Sequence, residues 1–200
     1  VNNPSFLLVC ALLAAAPLAA QKDAPALAVA PLAGQPIPVL PLSYLSADTA
    51  VEELLPAGRE AQLAWADSII GEMLSRRGPE VEWVLPEALR AVARRAPATV
   101  TDPDRMGQAV MRSSQVDRTP DPLRSYLRAL SAMTNSRTVM IPAAVRFTSD
   151  STGGVRAETM LVMVDTRNGG VLWRSRPVAT APTAAAALAA TIAHILPDFF

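Results

Sequence analysis

The segment from Arg156 to Thr180, RAETMLVMVDTRNGGVLWRSRPVAT, sets two runs of strand-forming residues around Asn168-Gly169-Gly170. It reads as a β-hairpin, because Asn-Gly tolerates the positive φ that primed turns need if their twist is to match that of the strands. Before the turn, Met160, Val162 and Val164 alternate with Leu161, Met163 and Asp165. That strand is apolar on both faces for most of its length, as a central strand must be. After the turn, Val171, Trp173 and Ser175 alternate with Leu172, Arg174 and Arg176, which leaves one wetter face. Upstream, Thr138–Thr148 (TVMIPAAVRFT) puts Val139, Ile141, Ala143, Val145 and Phe147 on a single face of a third strand. Together the three strands form a meander.

Around the meander the spacing turns helical. Ala57–Arg77 repeats Leu63, Ala66, Ile70, Met73 and Leu74 at helical intervals, ends on Arg76 and Arg77, where cations oppose the dipole, and is stopped by Gly78-Pro79. Before it lies an extended run, IPVLPLSYL from Ile37 to Leu45, and after it a short strand, Glu80–Leu85. These three elements make a parallel βαβ unit. Pro86 opens a helix ending before Pro97. Asp102-Pro103 and Asp121-Pro122 each read as a capping carboxylate followed by proline at the first helical position, for helices reaching about Arg112 and Met133. An alanine-rich helix, Pro182–Leu196, closes the chain. The expected order is β-α-β-α-α-α-β-β-β-α. The class is α/β (α+β), one domain with a mixed sheet of about five strands and helices packed against it.

With 200 residues, half of them hydrophobic, the chain can bury a proper core, but part of that apolar content reads as an address. Phe6–Ala20, FLLVCALLAAAPLAA, is uncharged, ends in small residues and falls short of the roughly 20 apolar residues of a membrane span. Residues 1–20 are expected to be a signal peptide cleaved near Ala20, and 21–36 a flexible Ala/Pro linker before a domain over 37–200. Localisation would be periplasmic or secreted, with no membrane span in the mature chain. Cys10, the one cysteine, lies inside the apolar run, and Val9 before it is larger than a lipid-attachment signal wants, so an outer-membrane lipoprotein is disfavoured. Acidic and basic residues balance at 18 each, which argues against a nucleic-acid partner held by a basic field.

Candidate chemistry is sparse. His194, the one histidine, stands on the last helix with no second histidine to share a metal. Ser113-Ser114 lacks the strand-turn-helix setting of a nucleophile. The paired carboxylates Glu52 and Glu53, Asp102 and Asp104, and Asp117 and Asp121 all lie where caps and turns want them. Gly153-Gly154 and Gly169-Gly170 join strand to strand, whereas a phosphate loop must feed a helix. No catalytic set, metal site or cofactor is expected. Arg146, Arg174 and Arg176 fall on one face of adjacent strands, with Trp173 opposite, and form a candidate partner-binding strip if helices leave that face open.

The segments IPVLPL, AWADSIIGEMLSRR, VEWVLP and DTRNGGVLWRSR, in that order behind an exported leader, carry a resemblance. The layout is similar to the small envelope domains in the N-terminal part of the Tol translocation protein B, the curli secretion-channel lipoproteins and the penicillin-binding-protein activators. Its sharpest piece is D-x-x-x-G-x-[VL]-x-W at Asp165, Gly169, Val171 and Trp173. The resemblance implies an exported, non-catalytic envelope accessory protein acting through protein contacts. The alternative is a small-ligand-binding or cell-wall-processing enzyme that uses acidic residues such as Asp102 and Asp104.

Overall fold

The computed structural model of the chain describes residues 25–151 and 153–196. The expected signal peptide, Cys10 and the aromatic tail at Phe199 and Phe200 lie outside the described residues. In chain order the elements are β1 (Pro36–Pro38), β2 (Leu45–Ala47), α1 (Thr49–Glu52), α2 (Arg59–Arg77), β3 (Glu82–Val84) and α3 (Pro86–Arg95). They continue with α4 (Leu123–Met133), β4 (Thr138–Ser149), β5 (Val155–Asp165), β6 (Val171–Ser175), β7 (Val178–Ala181) and α5 (Ala184–Ile195). This is a mixed α/β domain, as the sequence implies. Among the described residues no helix is long and apolar enough to cross a membrane.

The main sheet runs β2-β4-β5-β6, and β7 continues the β6 edge by pairing the other end of β5. The expected single strand from Val171 onward is thus cut in two. Pro177 sits at the break, where a residue without an N–H cannot continue the ladder, although its carbonyl still accepts from the Thr159 amide. The early βαβ unit is present as β1 and β3, parallel, with Ile37 opposite Trp83. Its first strand is shorter than expected. The chain makes one parallel bridge to the main sheet at Val39 and Met140, then leaves the ladder and rejoins β4 only as β2. Pro38 and Pro41 account for the interruption, since neither can donate.

Two apolar layers cover the sheet. On one face α2 and α5 pack on Met140, Val145, Phe147, Val155, Ala157, Leu161 and Met163. A buried hydrogen bond between the Thr159 and Thr191 hydroxyls, 2.7 Å, ties β5 to α5 within that layer. On the other face α3, α4 and the turn Gln108–Arg112 pack on Val139, Ile141, Ala143, Met160, Val162 and Val164. Each large side chain so buried contributes about 1.5–3 kcal/mol.

The expectation that Val139, Ile141, Ala143, Val145 and Phe147 share one face is corrected by a β-bulge. Pro142 pairs with Leu161 and Ala144 with Met160, so Ala143 is an extra residue. Past it every side chain of β4 changes face, and Val145 and Phe147 join the α2/α5 layer while Val139 and Ile141 lie in the other. Pro142 supplies the reason, because a bulge is where an inner strand accommodates a missing donor. A second register shift, at Leu172, separates Val171 from Trp173, which were expected on one face. Val171 faces the α3/α4 layer and Trp173 the α2/α5 layer, while Leu172 is left 57% exposed.

Three further expectations change. Of the segment 21–36, read as flexible linker, residues 21–24 lie outside the described residues and the rest is anchored to the domain at two points: Leu27 and Val29 are buried, the Leu27 amide donates to the Ile195 carbonyl, and Trp173 Nε1 donates to the Ala26 carbonyl. The helix expected from Asp102 to Arg112 is instead two 3-10 turns, Pro103–Arg105 and Gln108–Arg112. Gly107 between them has φ +76°, a left-handed conformation that no α-helix contains. Asp102 does cap the first turn, accepting from the Asp104 amide at 3.1 Å. Asp121 caps no backbone group of α4; its carboxylate accepts from the Ser125 hydroxyl and Arg124.

Candidate functional site

The bulge at Ala143 has a consequence for charge. Without it Arg146 would share a face with Met140 and point into the α2/α5 core; with it, Arg146 stands on the opposite face, across from Glu158 of β5. That face is covered for only half its length. From Val139 to Ala143, and at Met160, Val162 and Val164, it is buried under the α3/α4 layer. Beyond Ala144 and Met160 it is open: Arg146, Arg156 and Thr180 are exposed, and Ser46, Thr148, Glu158 and Val178 half-buried. β7 brings Val178 opposite Glu158 and Thr180 opposite Arg156.

At the border between the covered and open halves lies a recess of about 250 Å³ lined by Tyr44, Arg112, Ala144, Arg146, Glu158, Met160 and Arg176. Its floor is apolar and three guanidinium groups stand around it. The Arg112 guanidinium lies 4.5 Å from the centre of the Tyr44 ring, a cation–π contact, and its Nε donates to the Ala109 carbonyl. Arg176 Nε is 4.0 Å from the Glu158 carboxylate. Arg146 makes no hydrogen bond or salt bridge to any described residue. One carboxylate therefore answers three arginines here, and the exposed Arg156 adds a fourth cation to the same face.

Arg174, also on this face, has a different task. Its Nη1 donates to the carbonyls of Met111 and Ser113 at 2.9 and 2.8 Å, and its Nη2 to that of Val116 at 2.8 Å. Burial pulls the guanidinium below its usual pKa, with nearby Asp117 opposing that shift. These bonds hold the loop after Gln108–Arg112 against the sheet. From there Asp117–Thr119 runs along the outer edge of β6, where the Val171 amide donates to Asp117 and the Thr119 amide to Gly169. Gly169, at φ +75°, adopts there a left-handed conformation that glycine enters without the cost a Cβ brings. Of the three arginines in the expected strip, Arg146 and Arg176 line the recess, and Arg174 fixes the loop that carries Arg112.

The hairpin motif is structural as well. Asp165 is buried, accepts from Arg137 Nε and Nη2 at 3.1 and 2.8 Å, and takes the Arg167 amide. Burial would raise its carboxyl, but these bonds outweigh it and hold the group below the usual range.

The remaining candidates are dispersed. His194 is exposed on α5, Ser113 and Ser114 lie on the loop, and Glu52 accepts from Gln62. Among the described residues no three His, Cys, Asp or Glu side chains come together as a metal site. Asp104 pairs through two hydrogen bonds with Arg90, which holds its carboxyl below the usual value, against burial. On the other side of Arg90 is Asp67, on α2. Its Oδ1 accepts from the Leu42 amide at 2.7 Å, and its buried Oδ2 has no hydrogen-bond partner among the described residues and lies 3.6 Å from Arg90 Nη2. Burial pushes the Asp67 carboxyl up to about 7, with the Leu42 bond and Arg90 opposing. A groove of about 660 Å³ between α2, α3 and Pro103–Arg105 borders this group.

No family model matches the sequence, and no curated protein matches it. Similar solved structures include a PelC dodecamer from Paraburkholderia phytofirmans, at 17% identity and a TM-score of 0.43, covering 88% of this chain and 91% of that one. The LpoB C-terminal domain from Salmonella enterica is similar at 11% identity and a TM-score of 0.42, over 74% of this chain and 84% of that one. That from Escherichia coli is similar at 12% identity and 0.39. At these levels the likenesses assign this chain neither a family nor a role.

Sequence reading missed Arg112, Tyr44, Arg156, Asp67 and Arg90. Alternation along β5 places Arg156 and Glu158 on the Met160 face and could have found the former. Arg112, Tyr44, Asp67 and Arg90 gave no signal, because the contacts that matter here, Arg112 on Tyr44 and Asp67 on Leu42 and Arg90, join elements distant in sequence.

Proposed function

We propose that the chain is an exported, non-catalytic accessory protein of the bacterial envelope, working in the periplasm or outside the cell through contact with another envelope protein. One observation carries this reading: a half-uncovered sheet face bearing Arg112, Arg146, Arg156 and Arg176, on which Glu158 is the one carboxylate that lines the recess among the described residues. An open face of rigid strands is a surface already ordered for docking, so little conformational freedom is lost on binding. The apolar leader at Phe6–Ala20 and the resemblance to envelope domains support the compartment. The acidic residues of the enzymatic alternative have partners within the fold, Asp102 as a cap and Asp104 on Arg90.

The test is photo-crosslinking in the native envelope, with the reactive group placed at Thr148 on the open face or at Glu53 as a control, and mass spectrometry of the mature amino end. We expect one stoichiometric envelope protein captured from Thr148 and not from Glu53, on a chain beginning at Gln21. An unprocessed chain, or no envelope protein captured from Thr148, would sink the proposal.

A further inference from the structure

We infer that the recess between Arg112, Arg146 and Arg176 is a carboxylate-binding pocket, and that the partner presents to it an acidic, extended segment. The inference rests on the accessory-protein reading and names the chemistry of its contact. Three features of the recess support it. First, guanidinium groups are planar forks that match a carboxylate through paired N–H donors, and here three surround a cavity of about 250 Å³, room for a side-chain carboxylate and its methylenes. Second, the floor formed by Ala144 and Met160 is apolar, which suits the methylene stem of a glutamate while the cations hold its head. Third, internal neutralisation is incomplete: Glu158 reaches Arg176 only at 4.0 Å, and Arg146 has no partner among the described residues.

Two of the three cations are pre-positioned. Arg112 is held by the Tyr44 ring and the Ala109 carbonyl, and its loop is pinned by Arg174. Arg146 is aimed by the bulge at Ala143. Beyond the pocket, Arg156 lies farther along the same face, flanked by Thr148 and Thr180, so an acidic chain running along the strands from the pocket would meet a fourth cation after the three that line it. The face thus fits a segment with several carboxylates better than a single small anion.

The purified chain is titrated with fluorescent hexaglutamate, with hexaglutamine and hexalysine as controls, and followed by fluorescence anisotropy at low and at physiological ionic strength. We expect saturable binding of hexaglutamate alone, weakened by salt. Arg146→Gln and Arg176→Gln should each raise Kd about tenfold, and Glu158→Gln should lower it, with thermal unfolding unchanged. Arg128→Gln, remote from the pocket, should leave Kd unchanged. The inference is overturned if hexaglutamate does not saturate, or if the pocket variants bind like wild type. It is overturned equally if inorganic phosphate or phosphatidylglycerol vesicles bind through the same arginines while hexaglutamate does not. The two readings fail separately: a partner crosslinked from Thr148 equally well in wild type and Arg146→Gln keeps the accessory role and removes the pocket.

Discussion

Arg174 offers the sharpest test of how the open face is built. Replacing it with alanine deletes three hydrogen bonds from a charged donor to the carbonyls of Met111, Ser113 and Val116. Charged hydrogen bonds contribute about 1.5–3 kcal/mol each, but the three share one half-buried guanidinium and the Ser113 carbonyl can turn to water. A net loss of about 3 kcal/mol follows, or roughly 6–12 °C in melting temperature for a domain of this size. Lysine should recover little of it, because one ammonium cannot span three carbonyls as the fork does. The assay is thermal unfolding by circular dichroism, with hydrogen exchange at residues 111–119 beside it. We expect faster exchange of the Thr119 amide, which donates to Gly169 only while the loop is docked. A melting temperature within roughly 1 °C of wild type and unchanged exchange would refute the reasoning and make Arg174 a plain surface cation.

Asp67, with its carboxyl raised by burial to about 7 in the fold from an ordinary value of 3.8, binds more protons folded than unfolded between those values, so it makes stability fall as pH rises through that window and level off above it. Asp67→Asn keeps the acceptor for Leu42 and should flatten that slope by about 2 kcal/mol between pH 5 and 8 in urea titrations; an unchanged slope refutes the assignment. Leu27→Ala with Val29→Ala should cost about 3–5 kcal/mol in urea unfolding, whereas a flexible linker would cost nothing.

Where one stretch of chain meets its own requirements, sequence and structure agree. Alternating Leu161–Val164 makes a central strand whatever surrounds it, Pro86 starts α3, Gly78 stops α2, and Asp165 with Gly169 closes the hairpin. Period, capping and turn chemistry act within a few residues, so they are readable in a few residues. The parallel pairing of β1 and β3 was legible too, since a strand-helix-strand run has few ways to close.

Tertiary structure decided what depends on a partner. Whether Val145 lies beside Ile141 or opposite it turns on one extra residue, Ala143, and only the pairing of β4 with β5 shows which residue is extra. The packing of Leu27 and Val29 needs the end of α5 beside them, and Ala/Pro composition carries no trace of that contact. The three arginines were visible as a strip, but their division of labour was not. Arg174 meets carbonyls some sixty residues upstream, and Arg146 and Arg176 stand open because the α3/α4 layer stops at Ala144 and Met160. Side-chain types and local periods belong to the sequence; exposure and partnership belong to how far each layer reaches across the sheet.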